Sequence, residues 1–155
     1  MAAEDRVALC VARFYVEFAQ ALEQGARDAL EEAGITEIDV FDVPGAFELP
    51  LIAKYAAESG RYQAVVALGA VIRGETNHYD YVCAETARGI QNVQLSTGVP
   101  IGFGVLTVDS ADQARARIKG GTKRDSGAHA VEAVLASMAV KRGLTERPRR
   151  AGFGI

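Results

Sequence analysis

The chain has 155 residues, 49% of them hydrophobic and 24% charged, which is enough apolar material for one globular domain with a continuous core. A formal net charge of -3 gives no basic footprint of the kind phosphate-backbone binding requires, so nucleic acid is not an expected partner. No run approaches the roughly 20 apolar residues that span a bilayer, and the opening Met1-Ala-Ala-Glu-Asp-Arg has no apolar signal core, so the expectation is a cytoplasmic protein without membrane contact.

Residues 6–13 form a short, nearly unbroken apolar run, the pattern of a strand covered on both faces. From Phe18 the positions Leu22, Ala26, Ala29 and Ala33 recur at helical spacing, and Gly34 is placed to end that helix. Residues 35–43 alternate around Ile38, Val40 and Val43, a second strand stopped by Pro44-Gly45. Residues 49–59 then read as a helix with Pro50 tolerable in its first turn, and 64–72 as a buried strand. A long helix is predicted over about 77–97, halted by Gly98-Val99-Pro100 before a fourth strand at 101–108. Asp109 or Ser110 can cap a further helix that Gly120-Gly121 breaks, and Gly127 precedes a last amphipathic helix marked by Val131, Val134, Leu135 and Met138. Residues 143–155 are expected to be a loose tail, in which Arg147, Arg149 and Arg150 are solvated.

Strands alternating with helices imply right-handed crossovers and parallel pairing. The expected fold class is α/β, a three-layer α/β/α sandwich on a four-stranded parallel sheet. So small a sheet has exposed edges, and the alanine-rich helices offer flat apolar sides, so neighbouring subunits are expected to complete the burial. Cys10 and Cys83 lie in apolar periodic segments without metal-ligand spacing and read as small buried hydrophobes.

Ligands of open parallel sheets bind beyond the carboxyl ends of the strands. Phe14 and Tyr15 lie beyond strand one, Val43-Pro-Gly-Ala-Phe-Glu48 beyond strand two and Val71-Ile-Arg-Gly-Glu-Thr-Asn-His78 beyond strand three, and these loops should meet. The third leads from Gly74 through Glu75, Thr76 and Asn77 into a helix N-terminus, whose free amides and dipole suit an anion. His78 stands beside it, with a side chain whose ordinary pKa suits proton transfer near neutrality; the alternative is a helix-end residue without function. His129, on the last helix, reads as surface or packing. Glu48 is either a charge at a helix start or a ligand contact, and Phe14 either packs in the core or offers a stacking face to a planar ligand. No dinucleotide, P-loop, serine-hydrolase or metal-ligand signature is present. Cofactor-free chemistry driven by proximity and proton transfer remains.

Four strings stand in a diagnostic order and spacing: Arg13-Phe14; Val-Pro-Gly-Ala-Phe-Glu-Leu-Pro at 43–50; Gly-Ala-Val-Ile-Arg-Gly-Glu-Thr-Asn-His-Tyr-Asp-Tyr-Val at 69–82; and Pro-Ile-Gly-Phe-Gly-Val-Leu-Thr at 100–107. On these the chain resembles the lumazine synthases over residues 6–141. The resemblance implies a flavodoxin-like subunit and a transferase of riboflavin biosynthesis. It would condense 5-amino-6-(ribitylamino)uracil with 3,4-dihydroxy-2-butanone 4-phosphate to 6,7-dimethyl-8-ribityllumazine, without cofactor or metal. By the same resemblance Phe14 stacks on the pyrimidine, Ala46, Phe47 and Glu48 hold the ribityl chain, and Ala70, Val71 and Ile72 contact the heterocycle. Glu75 and Thr76 offer amides to the phosphate and His78 moves protons. The family's site lies between subunits of a pentamer, alone or assembled into an icosahedral shell, with Phe103 and a basic segment supplied by the neighbour. Arg117 takes the place of the phosphate-binding arginine and Lys123 is a further cation. Riboflavin synthase is a further expected partner.

The chain departs from the family in an extension, 142–155, longer than the usual ending, and in a tripeptide before the last helix. Asp125-Ser126-Gly127 stands where an Asn/Asp-Lys-Gly tripeptide is usual, so the lysine expected near the substrates is missing from that position. The alternative function is therefore a non-catalytic flavin- or lumazine-binding protein or shell scaffold. An archaeal-type riboflavin synthase is opposed by the intact Gly-Glu-Thr-Asn-His string.

Overall fold

The computed structural model describes residues 4–146. The two most apolar runs become the central strands, β1 (Arg6–Ala12) and β3 (Ala64–Ile72), because a strand covered on both faces tolerates no alternating polar side chain. The more polar β2 (Glu37–Val43) and the glycine-interrupted β4 (Ile101–Val108) take the edges. All pairs are parallel, in the order β2-β1-β3-β4. The order reverses between β1 and β3, which opens a crevice at their carboxyl ends.

Helices α1 (Val16–Glu32), α4 (Ala111–Arg115) and α5 (Ser126–Glu146) cover one face; α2 (Leu49–Glu58) and α3 (His78–Thr97) cover the other. Val7, Leu9 and Val11 meet Leu22, Leu30, Val131 and Val134 on the first side. Ala8, Cys10 and Ala12 meet Leu49, Ala53 and Ile90 on the second. The expected three-layer sandwich is the observed one.

The differences are local. Helix α1 begins at Val16, two residues before the expected Phe18, and ends before Gly34, whose φ of 83° needs a residue without Cβ strain. Strand β2 begins at Glu37 rather than 35, since Ile35 donates its N–H back to Leu30 (2.9 Å). Helix α4 is only five residues long; Ser110 caps it by accepting from the Gln113 N–H at 3.2 Å. Gly127 lies inside the first turn of α5 instead of preceding it, because a Cβ there would stand 2.2 Å from the Leu22 carbonyl oxygen of α1. Helix α5 runs on to Glu146, so residues 143–146 of the expected tail are helical. Its last turns are held by Lys141 donating to the Gly98 carbonyl at 3.3 Å and by an Arg142–Asp5 ion pair. The rest of that tail, with Arg147, Arg149 and Arg150, lies outside the described residues. Cys10 is buried as expected, whereas Cys83 on α3 is only half-buried. No described helix is long and apolar enough to cross a membrane.

Candidate functional site

The turn after β1 is stapled to its neighbours by Arg13. Its backbone N–H extends the sheet to the Val43 carbonyl (2.9 Å), and its guanidinium pairs with Asp42 (2.8 Å) and with Glu23 of α1 (2.6 Å). This leaves Phe14 projecting from a fixed backbone. Phe14 is 72% exposed and meets the edge of Tyr15 with ring centroids 4.9 Å apart. The core alternative for Phe14 is thereby excluded; a rigid, exposed aromatic face is what a planar ligand stacks on.

After β2 the chain makes a single 3-10 turn, Ala46–Glu48, before α2. The Glu48 carboxylate accepts from the Gly45 N–H at 2.9 Å, so Glu48 first of all closes its own loop. Its other oxygen remains an acceptor. The buried Thr86 of α3 donates its hydroxyl to the Ala46 carbonyl at 3.3 Å, and Phe47 is left 58% exposed at the rim.

The third loop leaves β3 through Arg73 and enters α3 at His78. Among the described hydrogen bonds the backbone N–H groups of residues 74–77 have no protein acceptor, while that of His78 donates to Thr76 Oγ1 at 3.3 Å. Free amides at the start of a 20-residue helix present partial positive charge to whatever binds there. His78 is exposed beside them.

The three loops do meet. A cleft of about 330 Å³ is lined by Phe14, Ala46, Phe47, Glu48, Ala70, Val71, Ile72, Thr76 and His78, nine residues singled out from sequence. Glu75 is in the same loop but does not line the cleft. Phe103, Arg117 and Lys123 lie away from it in this chain. Phe103 is a half-exposed side chain on the β4 edge, Arg117 follows α4 and donates to the Gln113 carbonyl at 2.9 Å, and Lys123 is exposed before α5. His129 is an exposed residue of α5, 3.8 Å from Glu132, in keeping with the surface reading.

Sequence reasoning missed Tyr79 and Val82 as lining residues. Their spacing of one and four from His78 places all three on one helical face, a signal that was available. It also missed the contacts of Arg73, which pairs with Asp109 at 2.9 Å and Asp80 at 3.5 Å and covers the Tyr79 ring at 4.3 Å. The hydrogen bond to Asp109 raises the guanidinium above its ordinary value, and burial pushes the Tyr79 hydroxyl up. Asp109 is 36 positions away, so no local pattern could have revealed that pair.

Residues 4–142 match the family model described as 6,7-dimethyl-8-ribityllumazine synthase. A protein of that name from Kineococcus radiotolerans is 50% identical over 146 residues, 93% of this chain and 89% of that protein. Another from Thermococcus gammatolerans is 47% identical over 141 residues, covering 91% and 90%. A third, from Streptomyces avermitilis, is 47% identical over 143 residues, covering 91% and 88%.

Proposed function

The chain belongs to the 6,7-dimethyl-8-ribityllumazine synthase family and has that synthase activity in riboflavin biosynthesis; from this premise we propose that the cleft between Phe14, Glu48 and His78 is where the condensation takes place. The observation that carries the reading is the meeting, in one cleft, of three chemically different walls. One is an exposed aromatic face, one a polar loop edge, and one a row of unbonded amides with a histidine beside it.

Each wall fits one part of the two reactants. Phe14 takes the pyrimidine ring by stacking, and the ends of β3 at Ala70, Val71 and Ile72 support the ring's other edge. The loop amides around Ala46 and Phe47 with the free Glu48 oxygen hold the ribityl hydroxyls. The amides of Glu75 and Thr76 take the butanone phosphate at the helix N-terminus. The pyrimidine's 5-amino nitrogen attacks the butanone carbonyl, water leaves as the imine forms, phosphate is eliminated, and a second loss of water closes the ring. His78 carries protons between these steps. Holding two reactants in register supplies about 7–11 kcal/mol of barrier lowering without any cofactor.

A volume of about 330 Å³ is small for two reactants. We infer a homopentamer or an assembly of pentamers, in which a neighbour closes the open side with Phe103 and with Arg117 and Lys123. The test follows lumazine absorbance with both substrates, subtracting the spontaneous rate. His78→Ala is expected to keep assembly and to lower turnover by about 10² to 10⁴; unchanged turnover removes His78 from the mechanism.

A further inference from the structure

We propose that Arg73 is a positioning residue for this reaction, its guanidinium fixing the first turn of α3, and thereby His78, against the end of β4. The inference rests on the reading of the cleft given above.

The turn that carries His78 is weakly held by its own sequence. Asn77 at the cap position of α3 makes no side-chain hydrogen bond, and among the described bonds the helix start has only Asp80 N–H to the Asn77 carbonyl (3.0 Å) and His78 N–H to the Thr76 hydroxyl at 3.3 Å. A helix start so lightly tied frays, and a frayed first turn would swing His78 through the cleft. Arg73 supplies the missing restraint from outside the helix. Its own N–H donates to the Val108 carbonyl at 2.9 Å, carrying the β3–β4 ladder one residue beyond Ile72, so the base of the side chain is fixed.

From that base one guanidinium meets three partners: the Asp109 carboxylate at the end of β4 and, on the helix, Asp80 and the Tyr79 ring. The two helical partners directly follow His78, and Tyr79 itself lines the cleft. Exposed single ion pairs contribute little to stability. A planar fork shared among two carboxylates and a ring is ordered once for all three, and lysine cannot reproduce it. The sheet does not need this side chain, since β3 and β4 already pair over eight positions. What the contacts restrain is the turn bearing the histidine.

The test uses the full chain with Arg73→Met and Arg73→Lys, steady-state kinetics with each substrate varied, and amide hydrogen exchange. Arg73→Met is expected to lower kcat by about 10- to 100-fold, the scale of a misplacement near 1 Å, while both KM values stay within about threefold. Exchange should accelerate across residues 78–82 and stay unchanged in β3 and β4. Arg73→Lys should recover only part of kcat, and Arg73→Met added to His78→Ala should cost nothing further, because the two act through one group. Wild-type kcat in Arg73→Met, unchanged exchange at 78–82, or a full additional loss in the His78→Ala background would each overturn the proposal. Equal turnover of the wild type and His78→Ala, which involves no Arg73 variant, would instead sink the cleft reading and with it the link to His78.

Discussion

Gly127→Ala puts a methyl group where α5 crosses α1. Its Cβ would stand 2.2 Å from the Leu22 carbonyl oxygen, 3.1 Å from the Leu22 carbonyl carbon and 3.2 Å from the Ala26 nitrogen, and real Cβ atoms essentially never come within 3.0 Å. These are backbone atoms of one helical turn and cannot swing aside as a side-chain tip can. Either the helices part, loosening Leu22, Ala26, Val131 and Val134, all almost wholly buried, or the first turn of α5 unwinds. Overpacking costs about 1–3 kcal/mol in side-chain cases; with backbone as the obstacle the upper end, about 3 kcal/mol, is expected. For a chain of this size that is a fall of roughly 6–12 °C in melting temperature. Thermal and urea unfolding at one fixed protein concentration, so that assembly does not confound the comparison, measure it. Gly25→Ala is the internal control: its Cβ meets the Asp125 carboxylate at 2.3 Å, which can rotate away at the cost of its bond from the Ala128 N–H, about 1 kcal/mol. A Gly127→Ala midpoint equal to wild type, or a Gly25→Ala loss exceeding it, would refute the reasoning.

Glu48→Gln keeps an acceptor for the Gly45 N–H and should change the KM for the ribityl-bearing substrate by less than about threefold, whereas Glu48→Ala opens the loop and should raise it about tenfold. Tyr62 donates to Asp39 at 2.7 Å and holds that carboxyl below the usual range, with help from Arg6 and Arg61. The stabilisation is therefore fully present above the ordinary carboxyl pKa of about 3.9 and is lost as pH falls through the lower folded value; the melting-temperature gap between wild type and Tyr62→Phe should narrow below about pH 4. Burial pushes the Cys10 thiol up to about 12, so alkylation at pH 8 should label it only after denaturant is added. Lys123→Ala should raise the KM for the phosphate substrate without moving the melting temperature, because the side chain is exposed.

Strand and helix order was readable because the apolar periods are clean. Strands at 64–72 and 101–108 fall where predicted, as do the helix stops at Gly34 and Gly98, both at positive φ. The start of β2 is set locally, by Ile35 bonding back to Leu30, whereas the start of α5 involves packing between distant elements. Gly127 reads locally as the residue preceding the last helix, yet tertiary contact with Leu22 makes it a helix-packing glycine. The same limit divides the site. Phe14, the 45–48 loop and the Gly-Glu-Thr-Asn-His turn were visible because motif and strand end coincide. Arg73 with Asp109 and Asp80, and the role of Glu48 in closing its own loop, depend on geometry that no spacing encodes.

The unusual Asp125-Ser126-Gly127 tripeptide acquires a physical meaning from the same seam. Asp125 caps α5 by accepting from the Ala128 N–H at 3.1 Å, and Gly25 leaves room for its carboxylate. Ser126 is only 8% exposed, its N–H donating to the Arg117 carbonyl at 3.0 Å, and Gly127 lies against Leu22. Asp125 and Gly127 thus seat α5 on α1 and Ser126 ties it to the segment after α4, and a lysine at 126 would bring its long charged stem into a closed joint. On the proposed reading of the cleft, a second cation beside Arg117 would be drawn from the segment just before. There Arg115 is engaged by Glu17 and Asp112, Lys119 by Asp28, and Arg117 by the Gln113 carbonyl. Among the described contacts Lys123 and Arg124 alone in that segment carry no side-chain partner, while their backbone N–H groups are pinned to the Ala116 carbonyl at 2.8 and 3.3 Å. A fixed base with an unpaired charged tip suits 123–124, and not the helix start itself, to the role proposed for the lost lysine.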